Sequence, residues 1–218
     1  MSRIVDLTMT IQEGMVTYPG HPHVEITQLA RFGYEGKETR KLVLGTHTGT
    51  HIDAPRHFIE GGKTVEDILP GVLCGPAQLV DLSDLPVGLG HGITAEVLEE
   101  RVGHRGLLDR LLLRFDGDKR LGSMGYYNAQ PWLTKDAAQL LIRRGCELVG
   151  LDTPMPDAPW DKEAMPIHKL LLGAGIVIVE YMVNLASIQA DTFQLVVAPL
   201  KVKDGDGAPA RCFAIVDD

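Results

Sequence analysis

The stretch His47-Thr-Gly-Thr-His51-Ile-Asp53-Ala-Pro-Arg-His57 gathers three of the eight histidines of the chain within eleven residues. Its glycine and β-branched residues disfavour a helix and favour a strand. Alternate side chains of a strand share one face, so an extended segment over residues 40–53 would present positions 47, 49, 51 and 53 on one side. Two imidazoles and a carboxylate on that side suit Zn²⁺ or Mn²⁺, and Gly49 would leave room for the ion. The stretch therefore predicts a metal centre.

His57 follows Pro55, which cannot continue a strand ladder and is expected to bend the chain. We expect the His57 imidazole to lie beside the ion without binding it, as a general acid or base, because an imidazole titrates near neutrality. Two alternatives stay open for the stretch. A helix would make His47 and His51 an i, i+4 pair that could also bind a metal, and the histidines could be a chance cluster. The motif H-E-x-x-H is absent, so a zincin-type protease is not indicated.

A second candidate cluster lies later in the chain. Glu180 interrupts the apolar strand predicted over residues 176–182, and a buried glutamate needs a partner or an ion. His168 falls in the first turn of a helix that Pro166 is expected to begin and that runs to about Leu172. Taken alone, His168 could be a hydrogen-bonded structural histidine, and Glu180 could pair with an arginine.

Composition bounds the function classes. The 218 residues carry 29 acidic and 21 basic side chains, a net charge of −8, which argues against a surface for nucleic acid or anionic membranes. No apolar run is long enough to span a bilayer, and no signal peptide is indicated at the N-terminus. Cys74, Cys146 and Cys212 form no C-x-x-C pair and are expected to be free thiols in a reducing cytoplasm.

Strands alternating with a few helices predict a single α/β or α+β domain over residues 1–218. Helices are expected after the caps Thr94 and Thr134, and from Pro166. The charged segment Lys201–Gly207 is expected to be a solvated turn, and the histidines His21 and His23 to be exposed. The predicted strands cover residues 2–10, 23–31, 40–53, 78–82, 107–115, 147–151, 176–182 and 193–200.

The long histidine motif resembles the signature H-x-G-T-H-x-D-x-P-x-H of the cyclase-type metal-dependent hydrolases, which include bacterial kynurenine formamidases and isatin hydrolases. The similarity extends over roughly residues 3 to 200. It is carried further by Ile4-Val-Asp6-Leu-Thr, Tyr18-Pro19-Gly20, Gly150-Leu-Asp152-Thr-Pro154 and the pair His168/Glu180.

The resemblance implies a fold and a set of ligands. The fold would be α/β, of the cyclase-family swivelling β/β/α type, with a mixed, β-barrel-like sheet and a few flanking helices, assembled as a homodimer or larger homo-oligomer. One Zn²⁺ or Mn²⁺ ion would be held by His47, His51 and Asp53. A second would be held by Asp53, His168 and Glu180, with Asp53 bridging, so that each chain carries one or two ions.

The resemblance also implies an activity, with His57 as the catalytic acid/base. The expected reaction is hydrolysis of a carbon–nitrogen bond in a small amide by metal-bound hydroxide, best an aryl formamide of the N-formylkynurenine type. A cyclic amide hydrolase or cyclase of the same family is the alternative, and a non-catalytic metal-binding protein is the alternative from another class. Formamidases carry a substrate-contacting Trp where this chain has Tyr18, which weakens the formylkynurenine assignment. Isatin hydrolases tend to use an amide where this chain has Glu180, which favours a formamidase-like pair of metals.

Overall fold

A computed structural model describes residues 2–86, 91–103, 106, 109–123, 125–161 and 164–217. Its strands are β1 (Ser2–Asp6), β2 (Glu25–Ala30), β3 (Thr39–Val43), β4 (His51–Asp53), β5 (Cys74–Asp81), β6 (Gly92–Ile93), β7 (Arg110–Arg114), β8 (Trp132–Leu133), β9 (Leu148–Leu151), β10 (Val177–Glu180), β11 (Thr192–Pro199) and β12 (Gly207–Asp217). Its helices are α1 (Phe32–Glu35), α2 (Pro70–Leu73), α3 (Ala95–Val102), α4 (Gly125–Asn128), α5 (Lys135–Arg143) and α6 (Pro166–Gly173). None of the helices in these ranges is long and apolar enough to cross a membrane.

The central sheet closes on itself. Its order is β1-β12-β11-β5-β7-β9-β10-β4, and β4 also pairs with β12, so the sheet forms a ring to which β1 adds on the outside of β12. Strands β5, β7, β9 and β10 run parallel to their neighbours within that group, and the other pairings are antiparallel. This mixed, barrel-like sheet with flanking helices confirms the predicted fold class.

Strands β7, β9 and β10 are buried on both faces over most of their length, which explains their apolar runs over residues 111–113, 148–151 and 177–179. Leu112 packs in the core that also contains β11 and β12, whereas its neighbours Leu111 and Leu113 pack against α3, α5 and α6. Strand β10 divides in the same way, with Val177 and Val179 in the first core and Ile178 in the second. Glu180 has the parity of Ile178, and it therefore lies on the side of the sheet that α6 covers.

Several predicted elements differ from the structure. The prediction of one extended segment over residues 40–53 is wrong between β3 and β4. The chain turns there, and Gly49 adopts a φ of 61°. Strand β12 was not predicted. Thr94 and Thr134 are the N-cap residues of α3 and α5, as predicted. Thr94 accepts the Val97 N–H, whereas the Thr134 hydroxyl donates to the Ile93 carbonyl and makes no cap hydrogen bond. Of the strand predicted over 107–115, residues 110–114 are confirmed as β7, and the first two residues lie outside the described ranges.

Candidate metal centre and active site

Strand β4 places two candidate ligands at a junction of the ring, because it lies between β10 and β12. His51 is paired with Glu180 of β10, and Asp53 is paired with Gly207 of β12. Side chains that face each other across a strand pair have Cβ atoms about 5 Å apart. The register therefore brings His51, Asp53 and Glu180 together without help from any loop, and all three are buried.

The tautomer of His51 is set by the turn that precedes β4. Nδ1 of His51 lies 2.8 Å from the Gly49 carbonyl oxygen, which can only accept a hydrogen bond, so Nδ1 carries the proton. Nε2 keeps its lone pair and faces Oδ1 of Asp53 at 3.3 Å and Oε2 of Glu180 at 3.5 Å. Gly49 therefore serves through its carbonyl and not by leaving room for an ion. A Cβ at this position would instead meet Met15 at 3.1 Å.

His47 joins the cluster from the turn and not from a strand face. Its Nδ1 lies 2.7 Å from Oδ1 of Asp53, and its Nε2 lies 2.9 Å from Oδ2 of Asp206. Burial disfavours the charged imidazole, but the two carboxylates outweigh burial and raise the pKa of His47 to about 10. His47 and Asp53 therefore lie together as predicted, but a turn at Gly49 brings them together and not a shared strand face.

Helix α6 carries His168 into the same cluster. Asp157, fully buried, accepts hydrogen bonds from the backbone N–H groups of Ile167 and His168 at 2.7 and 3.0 Å, and from Nδ1 of His168 at 2.6 Å. Nε2 of His168 then points to Oε1 of Glu180 at 3.1 Å and to Oδ2 of Asp53 at 3.4 Å. Among the described residues, the ion-pair partners of Glu180 are His51 and His168, so the arginine alternative is not what the structure shows.

The cluster fits a divalent cation. Within the described ranges, Oδ2 of Asp53 is buried and makes no hydrogen bond, and its nearest charged partner there is Nε2 of His168 at 3.4 Å, so this oxygen is open to an ion. Burial and the neighbouring charge of Asp53 raise the pKa of Glu180 above its usual range. Imidazole nitrogens and carboxylate oxygens are the ligands of zinc and manganese sites. Candidate ligand atoms of His51, Asp53 and Glu180 lie within 4.8 Å of one another, as do those of a second group formed by His47, Asp53 and His57. Asp53 belongs to both groups.

His57 lies at the edge of this cluster, in the single helical turn Pro55–His57. Its ring is 4.0 Å from the His47 ring, and its Nδ1 is 3.3 Å from Oδ2 of Asp206. Burial is the main reason that the pKa of His57 falls to about 4, and the positive charge of His47 contributes. The ring is therefore neutral at pH 7 and can accept a proton. Its distance to the His47–Asp53 pair is also compatible with ligation.

Two residues of the site were misjudged from the sequence. Asp206 was placed in a solvated turn, yet it contacts His47 and His57, and the hydrogen bond from His47 lowers the pKa of its carboxyl well below the usual range. His21 was expected to be exposed, but it is half-buried, and its ring lies 6.0 Å from that of His47. Asp157, which holds His168, is a further residue of the site that no sequence motif identifies. Asp206 enters the site through the register between β12 and β4, and the spacing of residues in the sequence does not reveal that register.

A cleft of about 380 Å³, partly open to solvent, leads to the cluster. Its floor consists of the ligand candidates and His57. Its walls are largely apolar or aromatic and comprise Tyr18, His21, Phe58, Pro154, Met155, Met165 and Tyr181. Tyr18, predicted as a substrate contact, stands in this wall with its ring 5.8 Å from that of Tyr127.

The chain is similar to known proteins along most of its length. Residues 5–158 match the family described as "Putative cyclase". Kynurenine formamidase of Bacillus mycoides (strain KBAB4) is 32% identical over 211 residues, which cover 96% of either chain. Kynurenine formamidase of Bacillus anthracis is likewise 32% identical over 211 residues, with the same coverage.

Solved structures agree with this relationship. Isatin hydrolase A from Labrenzia aggregata, bound to benzyl benzoate, superimposes with a TM-score of 0.89 at 28% identity and covers 100% of this chain and 94% of its own. An isatin hydrolase bound to the product analogue thioisatinate superimposes with a TM-score of 0.87 at 25% identity, with 100% and 93% covered. The sequence motif, the fold and these matches lead to one assignment. The chain belongs to the cyclase family of metal-dependent hydrolases.

Proposed function

We propose that the chain hydrolyses the carbon–nitrogen bond of a small aryl amide, and that an aryl formamide is its best substrate. The observation that carries the proposal is the position of a neutral imidazole, His57, beside a buried cluster of metal-ligand side chains at the floor of an apolar cleft. A site that only binds a structural metal is closed and needs no such imidazole. The position of His57 therefore favours an enzyme over a metal-binding protein without activity.

The ligands proposed for one ion are His47, His51 and Asp53, and those for a second are Asp53, His168 and Glu180, with Asp53 shared. Zn²⁺ or Mn²⁺ suits this set of nitrogens and oxygens. A bound dication would polarise the amide carbonyl and acidify water at the site. The two hydrogen bonds that fix Nδ1 of His51 and Nδ1 of His168 leave both Nε2 atoms as ligand atoms.

The proposed chemistry then depends on proton movement at His57. The oxygen of a water molecule adds to the carbonyl carbon while the neutral His57 ring accepts one of its protons. The carbon–nitrogen bond breaks, and His57 delivers that proton to the departing nitrogen. The products are an amine and a carboxylic acid, which releases its remaining proton to solvent as a carboxylate; they are an aryl amine and formate when the substrate is an aryl formamide. The apolar walls offer Tyr18 as a surface for an aromatic ring.

Two substrate classes compete, because the relatives include formamidases and the similar structures include isatin hydrolases. Glu180 in place of an amide favours the formamide, whereas Tyr18 in place of a tryptophan weakens it. Steady-state kinetics on an N-formyl arylamine and on an unsubstituted aryl lactam, with Zn²⁺ or Mn²⁺ supplied, test the proposal. We expect kcat/KM to be higher for the formamide. A higher value for the lactam would assign the alternative, and no metal-dependent turnover of either would refute amide hydrolysis.

We further propose a homodimer formed through the hairpin of β2 and β3. Every residue of β3 is exposed, and Phe32 and Tyr34 at the tip of the hairpin are 70% and 85% exposed. A two-stranded hairpin is marginal in water unless something covers it, and a second copy of the chain would do so. Sedimentation velocity should show a dimer that Leu42→Lys weakens and the control Leu69→Lys does not. A monomeric wild type would refute this.

We also propose that residues 1–218 form one domain, which the pairing of β1 with β12 supports, since it joins the first and last strands of the chain. The three cysteines are free, as expected for the cytoplasmic location that we propose.

A further inference from the structure

Asp206 stands between the two histidines that the proposed function uses differently. One oxygen, Oδ2, lies 2.9 Å from Nε2 of His47 and 3.3 Å from Nδ1 of His57. The rings of these histidines are 4.0 Å apart and inclined to each other by 35°. A single carboxylate therefore contacts a proposed metal ligand and the proposed acid/base.

We propose, on the basis of the proposed function, that Asp206 is a positioning residue that sets the proton-bearing nitrogen of both His47 and His57. A carboxylate accepts hydrogen bonds, so each ring donates to it from the nitrogen that faces it. In His47 this holds the Nε2 proton toward Asp206, so that Nδ1, 2.7 Å from Oδ1 of Asp53, is the nitrogen that would give up its proton and become the ligand atom when a metal binds. Hydrogen bonds from the second nitrogen of a metal-binding histidine to a carboxylate fix the ring and raise its basicity.

The same contact prepares His57. If Nδ1 donates to Asp206, the lone pair of the neutral ring is on Nε2, which is then the atom that accepts a proton from water. The arrangement follows the general logic in which a carboxylate holds the imidazole of a catalytic base in one tautomer. Loss of Asp206 would allow either nitrogen of His57 to carry the proton and would allow the ring to rotate.

Backbone contacts on both sides of Asp206 hold it next to His47. The carbonyl oxygen of Asp206 accepts the Ala54 N–H at 2.9 Å, immediately after the strand that carries Asp53. Gly207 follows, and a Cβ there would meet Cε1 of His47 at 2.7 Å and the Ile52 carbonyl oxygen at 2.8 Å. Strand β12 therefore passes directly over the His47 ring, and the carboxylate of Asp206 reaches both histidines because no side chain at position 207 intervenes.

The first experiment measures metal affinity without activity. Metal-stripped wild type, Asp206→Asn and Asp206→Ala are titrated with Zn²⁺ against a chromophoric chelator. We expect both variants to bind Zn²⁺ about 10- to 100-fold more weakly, the range for loss of a carboxylate behind a histidine ligand. Asp204→Asn is the matched control, because Asp204 lies in the same turn. Asparagine tolerates its φ of 55°, and the backbone N–H of residue 204, which donates to Glu66, is kept in the variant. Unchanged affinity in both Asp206 variants, or an equal loss in Asp204→Asn, would overturn the assignment to His47.

The second experiment isolates the contact with His57 by a double-mutant cycle at saturating metal. Asp206→Ala is expected to lower kcat by about 10-fold or more with little change in KM, since a misplaced acid/base affects the chemical step. In the His57→Ala background it should lower kcat no further. A full additional loss there would overturn the assignment to His57. Asp206→Glu, which keeps the carboxylate, should recover part of the Zn²⁺ affinity, and circular dichroism checks that each variant is folded.

The two proposals fail in different ways. If wild type hydrolyses no aryl amide but Asp206→Ala still weakens Zn²⁺ binding, the proposed function is wrong and the role toward His47 stands. If wild type is active and neither Zn²⁺ affinity nor kcat responds to Asp206, the positioning role is wrong and the proposed function stands.

Discussion

Nδ1 of His168 lies 2.6 Å from Oδ2 of Asp157, and this hydrogen bond directs the opposite nitrogen of the ring toward Glu180 and Asp53. The same carboxylate holds the first turn of α6 through the backbone N–H groups of Ile167 and His168. Asp157 thus fixes both the ring and the helix that carries it. A proposed ligand and the start of its helix depend on one buried side chain.

Asp157→Asn should therefore weaken binding of a second ion. The amide keeps one acceptor for the backbone, but its NH₂ group faces Nδ1 and favours the tautomer in which Nε2 carries the proton. We expect about 10- to 100-fold weaker binding at the site that includes His168. Isothermal titration with Zn²⁺ measures this. Identical isotherms for Asp157→Asn and wild type would contradict the role of Asp157.

His57→Ala separates an acid/base from a ligand. The ring is near enough to the His47–Asp53 pair to bind the same ion, but its contact with Asp206 and its position at the edge of the cluster suit proton transfer, and its lowered pKa keeps it neutral at pH 7. We expect the variant to keep its metal and to lose about 100-fold or more in kcat. Metal content and turnover are measured on one preparation. Loss of metal in proportion to turnover would make His57 a ligand.

Glu180→Gln tests the second ion. A neutral amide is a weaker ligand than a carboxylate, so metal content should fall from about two to about one ion per chain. The glutamate is paired with His51 and His168, and its replacement should also change the thermal midpoint of the metal-free protein. Unchanged stoichiometry would refute a second-metal role even if activity fell.

Asp152, which is not one of the proposed metal ligands, is expected to make the free energy of unfolding depend on pH. It follows β9, is almost fully buried, and accepts the Phe115 N–H at 2.9 and 3.0 Å from its two oxygens. Burial raises its pKa from 3.8 to about 7. The folded state therefore holds the proton more tightly than the unfolded state, so this contribution to stability is complete below about pH 4 and is lost as the pH rises through about 7.

Asp152→Asn should remove that dependence. We expect metal-free wild type to lose up to about 4 kcal/mol relative to the variant between about pH 4 and pH 8, since three pKa units correspond to that free energy. Urea unfolding of both proteins at each pH measures the difference. Parallel curves of unfolding free energy against pH would show that Asp152 titrates normally.

The sequence predicted the local part of the site. His51 and Asp53 alternate on a strand, and alternation alone places them together. The cost of a buried carboxylate in an apolar strand indicated only that Glu180 needs a partner, and the family resemblance made it a candidate ligand. His47 was included for the wrong reason, because a continuous strand was expected over residues 47–53, whereas the chain turns at Gly49.

The non-local part could not be predicted in this way. Asp206 is 159 positions from His47, and its charged turn has the composition of solvated surface. What places Asp206 in the site is the pairing of β12 with β4, and no property of residues 201–207 reveals that pairing. Asp157 precedes α6 by nine residues, so it does not occupy the cap position that helix-start patterns identify.

Metal content of the purified chain tests the central claim most directly. Elemental analysis of wild type, His51→Ala and the control His23→Ala is made after exposure to Zn²⁺ or Mn²⁺ and removal of free ions. His51 is buried within the cluster, whereas His23 is exposed. We predict about one or two transition-metal ions per chain in wild type and in His23→Ala, and loss of the ion at the His47–His51–Asp53 site in His51→Ala, because too few ligands remain. A wild-type chain that contains no transition metal and takes none up would contradict the account.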